Sequence, residues 1–243
     1  MKKTTETYED FLDRINSFEK SEIDFGNNFF NVNPSLKNKV DEKNGFKNFY
    51  GDTVVFDLDK STKEKISKIV DKLFHECPEC FCEKLVGNTF HVTLHDLSNS
   101  PELREVATEI LYNELKIIEL IKQIDLQTIK MKPKYVFNMV NTSLVLGLYP
   151  INETEFAKIM DLYNLVDNVK TLPYPFTPHI TLGYYNIKGF NVQSAKKLET
   201  LVSEINQTSL DMEIELDVQN LFYQKFVNMN KYINVINFVK SSK

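Results

Sequence analysis

The sequence predicts an α+β fold built as a bilobal duplication, with two antiparallel sheets facing a central groove and helices on their outer faces. Three observations predict it. Segments with helical and strand-like apolar spacing alternate along the chain, the order helix, strand, helix, strand pair occurs twice, and each repeat contains one His-x-Thr unit. The units lie at His91–Thr93 and His179–Thr181, 88 residues apart. An internal repeat with one signature per half indicates a duplicated architecture.

Composition excludes several classes of protein. The 243 residues are 42% hydrophobic and 26% charged, as is typical of soluble globular proteins, and the net charge of −5 argues against binding to duplex nucleic acid. No apolar run approaches the roughly 18 residues of a membrane span. The polar start at Met1–Glu6 argues against a signal peptide, and three clustered cysteines do not form a disulfide framework. We therefore expect a cytoplasmic protein.

The first 50 residues are expected to form an N-terminal extension to a main domain at residues 51–243. Apolar residues at helical intervals predict a helix over residues 7–19. Residues 21–51 are rich in asparagine yet hold six aromatic side chains, which indicates an ordered loop, because disordered linkers contain few aromatics. Two interpretations of this loop stay open: a lid that closes over the groove, or packing on the flank of one lobe.

The elements of the main domain follow from the period of its apolar residues, which is two in strands and 3.6 in helices. The first half is predicted to contain a strand at 54–58, a helix at 62–75, a strand at 87–97, a helix at 101–123 and two strands at 135–140 and 144–149. The second half is predicted to contain a helix at 153–169, a strand at 177–185, a helix at 192–206 and strands at 212–218, 221–227 and 232–239. The last hairpin turn is expected at Asn228–Asn230.

The two His-x-Thr units are expected to present their polar side chains to the groove. Side chains alternate along a strand, so His91, Thr93 and His95 should share one face of the first signature strand. His179 and Thr181 should share one face of the second. In both strands the intervening residues are apolar and suit the helix-covered face.

Two imidazoles on opposite sides of a groove suit paired proton transfer. An unperturbed pKa of about 6.5 lets one ring be neutral while the other is protonated. The neutral ring can take a proton from water or a ribose hydroxyl, and the protonated ring can give one to the leaving oxygen. The two threonine hydroxyls can donate hydrogen bonds to phosphate oxygens. Together the four side chains would cradle one phosphodiester, and this scheme needs no metal ion and no cofactor.

The residues around both units resemble a known family. Phe90–Leu94, with the sequence FHVTL, and Thr177–Gly183, with the sequence TPHITLG, resemble the paired signatures of the 2H phosphoesterase superfamily, also called the cyclic phosphodiesterase-like fold. The resemblance covers the chain from about residue 50 to residue 240. The first 50 residues match nothing in the family. Some relatives carry a basic residue shortly after the second signature, where this chain has Tyr184-Tyr185.

The resemblance implies an activity and a role for four residues. His91 and His179 would be the catalytic acid/base pair, and Thr93 and Thr181 would bind the phosphate. Members of the superfamily cleave 2′,3′-cyclic phosphates, 2′,5′-linked oligonucleotides, RNA 3′ ends or cyclic oligonucleotides. The expected function is therefore a metal-independent phosphodiesterase with a small nucleotide or oligonucleotide substrate. Two alternatives are a nucleotide-binding sensor that uses the same groove without catalysis, and a protein-interaction role of residues 1–50.

Several further residues have both a functional and a structural interpretation. His95 either contacts substrate in the groove or lies at the surface of a strand end, and Asp96 is expected to be a turn or cap residue. Tyr185 lies on the groove-facing parity of its strand and is a candidate for stacking on a base, as are Tyr174, Phe176 and Tyr149 near strand ends. The default alternative for these aromatics is the core. A cluster of His75, Cys77, Cys80 and Cys82 fits a zinc site poorly, and free thiols are expected.

Overall fold

The computed structural model describes residues 6–20, 29–122, 127–208 and 210–239. In these ranges the helices are α1 (Tyr8–Ser17), α2 (Lys60–Glu76), α3 (Leu103–Ile121), α4 (Glu153–Asp167) and α5 (Val192–Thr208). The strands are β1 (Phe29–Phe30), β2 (Tyr50–Asp57), β3 (His91–Ser100), β4 (Ile129–Met139), β5 (Ser143–Pro150), β6 (His179–Tyr184), β7 (Phe190–Asn191), β8 (Ile214–Leu216), β9 (Leu221–Asn228) and β10 (Lys231–Asn237).

Two four-stranded antiparallel sheets form the two lobes. The first sheet has the order β10-β9-β2-β3, and the second has the order β6-β5-β4-β8. Each His-x-Thr strand is an edge strand of its own sheet, β3 in the first and β6 in the second, and these two strands contact each other. The predicted α+β, bilobal fold class is therefore confirmed, and the two signatures meet at the centre of the molecule.

The helices join the lobes as well as covering them. Helix α3 packs on β2 and β3, and α5 packs on β4. Helix α2 contacts β6 of the second sheet, and α4 contacts β3 of the first sheet in addition to β4 and β5. Residues of both sheets and of these helices share one hydrophobic core. Because that core is continuous, the two histidine strands are held in a fixed relation.

The strand β3 has an irregularity directly after its His-x-Thr unit. Thr93 is paired with Val55, whereas His95 is paired with Val54, so one strand advances by two residues while its partner advances by one. This is a β-bulge, which moves the side chains that follow it to the opposite face of the sheet, as far as a second register shift between Thr53 and Gly51. Simple alternation along β3 therefore fails from His95 onward.

The strand β6 repeats the same irregularity at the equivalent place. Thr181 is paired with Val145, and Gly183 is paired with Leu144. The duplication thus includes the bulge as well as the motif. In both lobes the histidine and threonine precede the bulge and keep the predicted alternation, while the residues after it change face.

Segments before β2 pack against both lobes. Phe11 of α1 lies 5.2 Å from the ring of Phe156 on α4, and the Tyr8 hydroxyl donates to the carbonyl of Pro150. Farther along, Phe30 stacks on Phe190 at 4.5 Å, and the β1–β7 pair joins them. The lid and flank interpretations of the 21–51 loop both stay predictions, and residues 21–28 lie outside the described residues. The domain boundary at residue 50 stays a prediction.

Strand β4 is longer than the sequence indicated. It begins at Ile129, whereas the sequence predicted a start at residue 135. The added part contains a proline at position 133. Proline has no N–H for a strand ladder and usually marks an edge or a bulge. Here the pairing with β5 shifts register between Pro133 and Val136, so the strand passes through the proline by means of an irregularity.

Candidate active site

A cavity of about 700 Å³ lies where β3 and β6 meet. Its wall contains the two histidines and two threonines of the repeated units, His91, Thr93, His179 and Thr181. All four side chains are partly exposed, whereas the residues between them are buried. The structure therefore brings the four residues of the expected cradle into one cavity.

The two histidine rings are held in the same way. Nδ1 of His91 lies 2.7 Å from the carbonyl oxygen of Thr89, and Nδ1 of His179 lies 2.8 Å from the carbonyl oxygen of Thr177. A carbonyl only accepts hydrogen bonds, so Nδ1 carries the hydrogen in both rings. Nε2 is then a base when the ring is neutral and a donor when it is protonated.

Burial lowers the pKa of His91 and of His179, because loss of water disfavours the charged ring. The hydrogen bonds to Thr89 and Thr177 oppose this effect by favouring the charged form. The charge of His179 further lowers the pKa of His91, in keeping with the position of both rings in one cavity. Such a pair titrates as a unit, with one proton lost before the other.

Asp96 is an unexpected acidic residue of the cavity wall. The bulge in β3 turns its exposed side chain toward the cavity, where the carboxylate accepts a hydrogen bond from the Tyr174 hydroxyl at 3.3 Å. Its negative charge raises the pKa of both His91 and His179. The expectation of a turn or cap residue is therefore wrong, since Asp96 lies within β3 and acts on both rings.

We expect Asp96→Asn to move the pH–activity profile toward lower pH. The carboxylate raises the pKa of His91 and of His179, so its removal lowers both, and both limbs of the profile should shift in the same direction. The measurement is kcat/KM across the acidic and neutral range. Asp161→Asn, an exposed position on α4, is the control and should leave the profile in place. An unshifted profile for Asp96→Asn would contradict the electrostatic role.

His95 does not lie on the partly exposed face of β3 that carries His91. Its side chain is completely buried, with Nδ1 at 2.5 Å from the carbonyl oxygen of Asp96 and Nε2 at 3.2 Å from a carboxylate oxygen of Asp167. Both ring nitrogens therefore lie against oxygen acceptors. His95 borders the cavity from within the core and ties β3 to the end of α4. The prediction of a shared face is wrong because the bulge turns His95 away.

Tyr185 lies in the core and does not line the cavity in the described structure. It is fully buried, with its ring 5.0 Å from Phe30 and 5.8 Å from Phe190. The bulge in β6 is again the reason, because it gives the cavity-facing position to Tyr184. The prediction that Tyr185 binds substrate is therefore incompatible with its position. Of the other stacking candidates, Tyr174 and Phe176 line the cavity, whereas Tyr149 is not among its described lining residues.

Other lining residues come from parts of the chain that carry no motif. Tyr232 of β10 lies 5.1 Å from the ring of His91, and Lys39 and Arg14 come from segments before β2. No local pattern in the sequence indicated these positions, since each depends on how distant segments pack. Aromatic rings make up much of the wall, namely Phe18, Phe49, Phe90, Tyr163, Tyr174, Phe176, Tyr184, Phe226 and Tyr232.

Arg14 connects α1 to the segment that precedes His179. Its guanidinium donates to the carbonyl of Phe176 at 2.8 Å and to the hydroxyl of Thr177 at 3.0 Å, and Glu6 binds it through both carboxylate oxygens. The carbonyl of Thr177 is the acceptor that holds Nδ1 of His179. Arg14 is therefore a positioning residue for that ring.

We expect Arg14→Met to lower kcat by about tenfold to a hundredfold, because small displacements of a catalytic group are costly. The change removes two hydrogen bonds to the 176–177 segment while keeping an apolar stem of similar length. The measurement is kcat together with the pH profile, whose limbs should move if His179 is released from its carbonyl. Arg104→Met, at an exposed position of α3, is the matched control. Wild-type kcat in the Arg14 variant would contradict this role.

The cysteine cluster does not converge on a metal site. Cys77, Cys80 and Cys82 are buried, while the side chain of His75 is 84% exposed on the last turn of α2. Burial raises the pKa of the Cys82 thiol to about 12 and that of Cys80 further, so both are protonated at neutral pH. Within the described residues, no group of three or more His, Cys, Asp or Glu side chains is arranged to hold a metal ion.

None of the helices in the described part of the chain has both the length and the apolar character that crossing a membrane requires.

Comparisons with solved structures identify proteins of similar fold. A conserved protein of unknown function from Agrobacterium tumefaciens, ATU0111, aligns with a TM-score of 0.69 at 13% identity and covers 90% of this chain and 99% of its own. Apo LigT from E. coli aligns with a TM-score of 0.45 at 14% identity over 77% of this chain and 95% of its own. A structure named as a phosphoesterase aligns at 0.47 and 14% identity over 76% and 95%.

Sequence comparison adds nothing to this result, because no family model and no curated protein matches the chain. The structural alignment with the Agrobacterium protein spans nearly the whole of both molecules, so the chain has the same fold as that protein.

Proposed function

We propose that this chain is a 2H-type phosphodiesterase that cleaves a small or terminal nucleotide phosphodiester without a metal ion. The observation that supports it most is the shared cavity of two identical His-x-Thr units, each with its histidine Nδ1 bound to a backbone carbonyl two residues earlier. This arrangement leaves two Nε2 atoms for proton transfer and two hydroxyls for binding phosphate. The motif resemblance supports the same reaction class.

In the proposed reaction one histidine ring accepts a proton and the other donates one. One neutral imidazole accepts the proton of an attacking hydroxyl or water at Nε2 while a new P–O bond forms. The other imidazole, protonated at the start, donates its Nε2 proton to the oxygen whose bond to phosphorus breaks. Repulsion between the two charged rings disfavours the state in which both are protonated.

The threonines and the cavity walls support a nucleotide substrate. Thr93 and Thr181 lie two residues after their histidines on the same face of each strand, where their hydroxyls can donate to the phosphoryl oxygens as negative charge builds. A volume of about 700 Å³ lies within the range of cavities that take small ligands. The aromatic walls suit stacking on bases. We propose 2′,3′-cyclic phosphates and short cyclic or 2′,5′-linked oligonucleotides as substrates.

The test is a panel of these substrates incubated with the full chain in the presence of EDTA, with products separated and identified by mass. We expect hydrolysis of at least one substrate class at a rate that EDTA does not change. Loss of activity in EDTA would overturn metal independence. Recovery of a tightly bound but unmodified nucleotide after long incubation would instead support the non-catalytic sensor.

A further inference from the structure

Lys39 differs from the other basic residue of the cavity wall. Arg14 is paired with Glu6, whose two carboxylate oxygens accept from Nε and from one terminal nitrogen of its guanidinium. No carboxylate of the described residues lies within salt-bridge distance of the Lys39 ammonium, although this side chain also lines the cavity. A cation in such a setting keeps its capacity to bind an anion from solution.

The position of Lys39 is fixed by its backbone. It ends the 3-10 helix Pro34–Asn38, with its N–H donating to the carbonyl of Leu36 at 2.9 Å. Its own carbonyl accepts the N–H of Lys47 at 2.9 Å. Because both backbone groups are bound to the same compact segment, the side chain leaves that segment in a defined direction toward the cavity.

Two aromatic rings hold the ammonium group. Nζ of Lys39 lies 5.3 Å from the centre of the Phe49 ring and 5.3 Å from that of Tyr184. The faces of aromatic rings attract a cation, but they supply no hydrogen-bond acceptor for its three N–H groups comparable to an anionic oxygen. Tyr184 is the residue that the β6 bulge turns toward the cavity, so the ring contact places Lys39 beside the second signature strand.

Electrostatic effects agree with this placement. Burial lowers the pKa of Lys39, and the negative charge of Asp96 raises it. The positive charge of Lys39 in turn lowers the pKa of His179. Lys39 and His179 line the same cavity, so these charge effects agree with the geometry.

We infer that Lys39 binds a phosphate oxygen of the ligand in this cavity, so that the segment before β2 completes a site otherwise built by the duplicated lobes. The identity of the ligand as a phosphate ester rests on the proposed function, while the location of the anion-binding group rests on the contacts of Lys39. Among the described residues of the cavity wall, the carboxylate of Asp96 partly offsets the charge of Lys39.

The test is calorimetric binding of inorganic phosphate to the full chain and to three variants. Lys39→Met removes the charge but keeps an apolar side chain for the two rings, and Lys39→Arg keeps the charge. Lys37→Met is the matched control, because Lys37 is exposed on the same 3-10 helix. Thermal unfolding of each variant checks the fold, and Lys39→Gln replaces the methionine variant if that protein unfolds early.

We expect Lys39→Met to weaken phosphate binding by about tenfold or more, the usual loss for a charge-assisted hydrogen bond. Lys39→Arg should stay within about threefold of wild type, a difference small against the loss of a charge-assisted contact, and Lys37→Met should be unchanged. Wild-type affinity in Lys39→Met, equal losses in the methionine and arginine variants, or no phosphate binding by the wild-type chain would each overturn the inference.

The same proteins separate this inference from the proposed function. Phosphate binding that depends on Lys39, in a chain that cleaves none of the substrate panel, would leave the inference standing and remove the phosphodiesterase. If the wild-type chain cleaves a substrate and Lys39→Met leaves both the phosphate affinity and KM unchanged, the proposed function stands and the inference about Lys39 is overturned.

Discussion

Replacing either cavity histidine by alanine should lower kcat by about 10²- to 10⁴-fold, the usual contribution of a general acid or base. The expectation follows from the geometry, in which His91 and His179 each present one Nε2 to the same cavity. Because each ring has a different proton to move, loss of one leaves the other unable to complete the reaction. The double variant should therefore be only slightly slower than either single variant.

The measurement is steady-state kcat and KM on the best substrate of the panel. His75→Ala is the matched control, since this histidine is exposed on α2 and outside the cavity wall. It should retain wild-type rates. Near wild-type kcat in either His91→Ala or His179→Ala, in a protein shown to be folded, would remove the two-histidine mechanism.

Much of the fold and the centre of the site could be predicted from the sequence, because the deciding signals are local and occur twice. Alternation over three residues suffices to put His91 with Thr93, and His179 with Thr181, on one face of a strand. The repeat predicts that the two strands occupy equivalent places in two lobes. The structure adds that both are edge strands, which explains how they can meet.

The failed predictions about His95 and Tyr185 have the same cause, a β-bulge in each signature strand. His95 and Tyr185 were assigned to the groove by continuing the alternation, but each lies beyond a β-bulge that inserts one residue. A bulge is determined by pairing with the neighbouring strand and by packing on the helices, so a single strand's residues do not reveal it. The bulges bring Asp96 and Tyr184 to the cavity wall, while Tyr185 lies in the core and His95 borders the cavity from a fully buried position.

Other parts of the site could not be predicted from the sequence, for a different reason. Lys39 and Arg14 belong to the first 50 residues, where no repeat and no motif marks a functional position. Their roles arise from long-range contacts, such as the ring of Tyr184 against Lys39 and the segment before His179 against Arg14. Such contacts link residues more than 140 positions apart, so only the folded structure shows them.

The buried carboxylate of Asp52 should contribute more to stability than any exposed charge. It is 1% exposed on β2, and it accepts hydrogen bonds from the Ser98 N–H at 2.8 Å, the Asn113 amide at 3.0 Å and the Tyr223 hydroxyl at 2.9 Å. These donors come from β3, α3 and β9, so one side chain joins four elements. Burial raises its pKa and the three hydrogen bonds lower it, with burial the larger effect.

Asp52→Ala should lower the free energy of unfolding by about 3 kcal/mol, because it removes a buried acceptor shared by three donors, of which Tyr223 and Asn113 keep one further acceptor each. Asp52→Asn keeps one acceptor oxygen and should lose less. Urea unfolding measures both, with Asp161→Ala on exposed α4 surface as a control expected within about 0.5 kcal/mol of wild type. Ser98 lies on the strand that carries His91. Asp52→Ala should therefore also lose activity at urea concentrations below its unfolding transition. A stable Asp52→Ala protein would show that the donors find other acceptors and that β3 does not depend on this carboxylate.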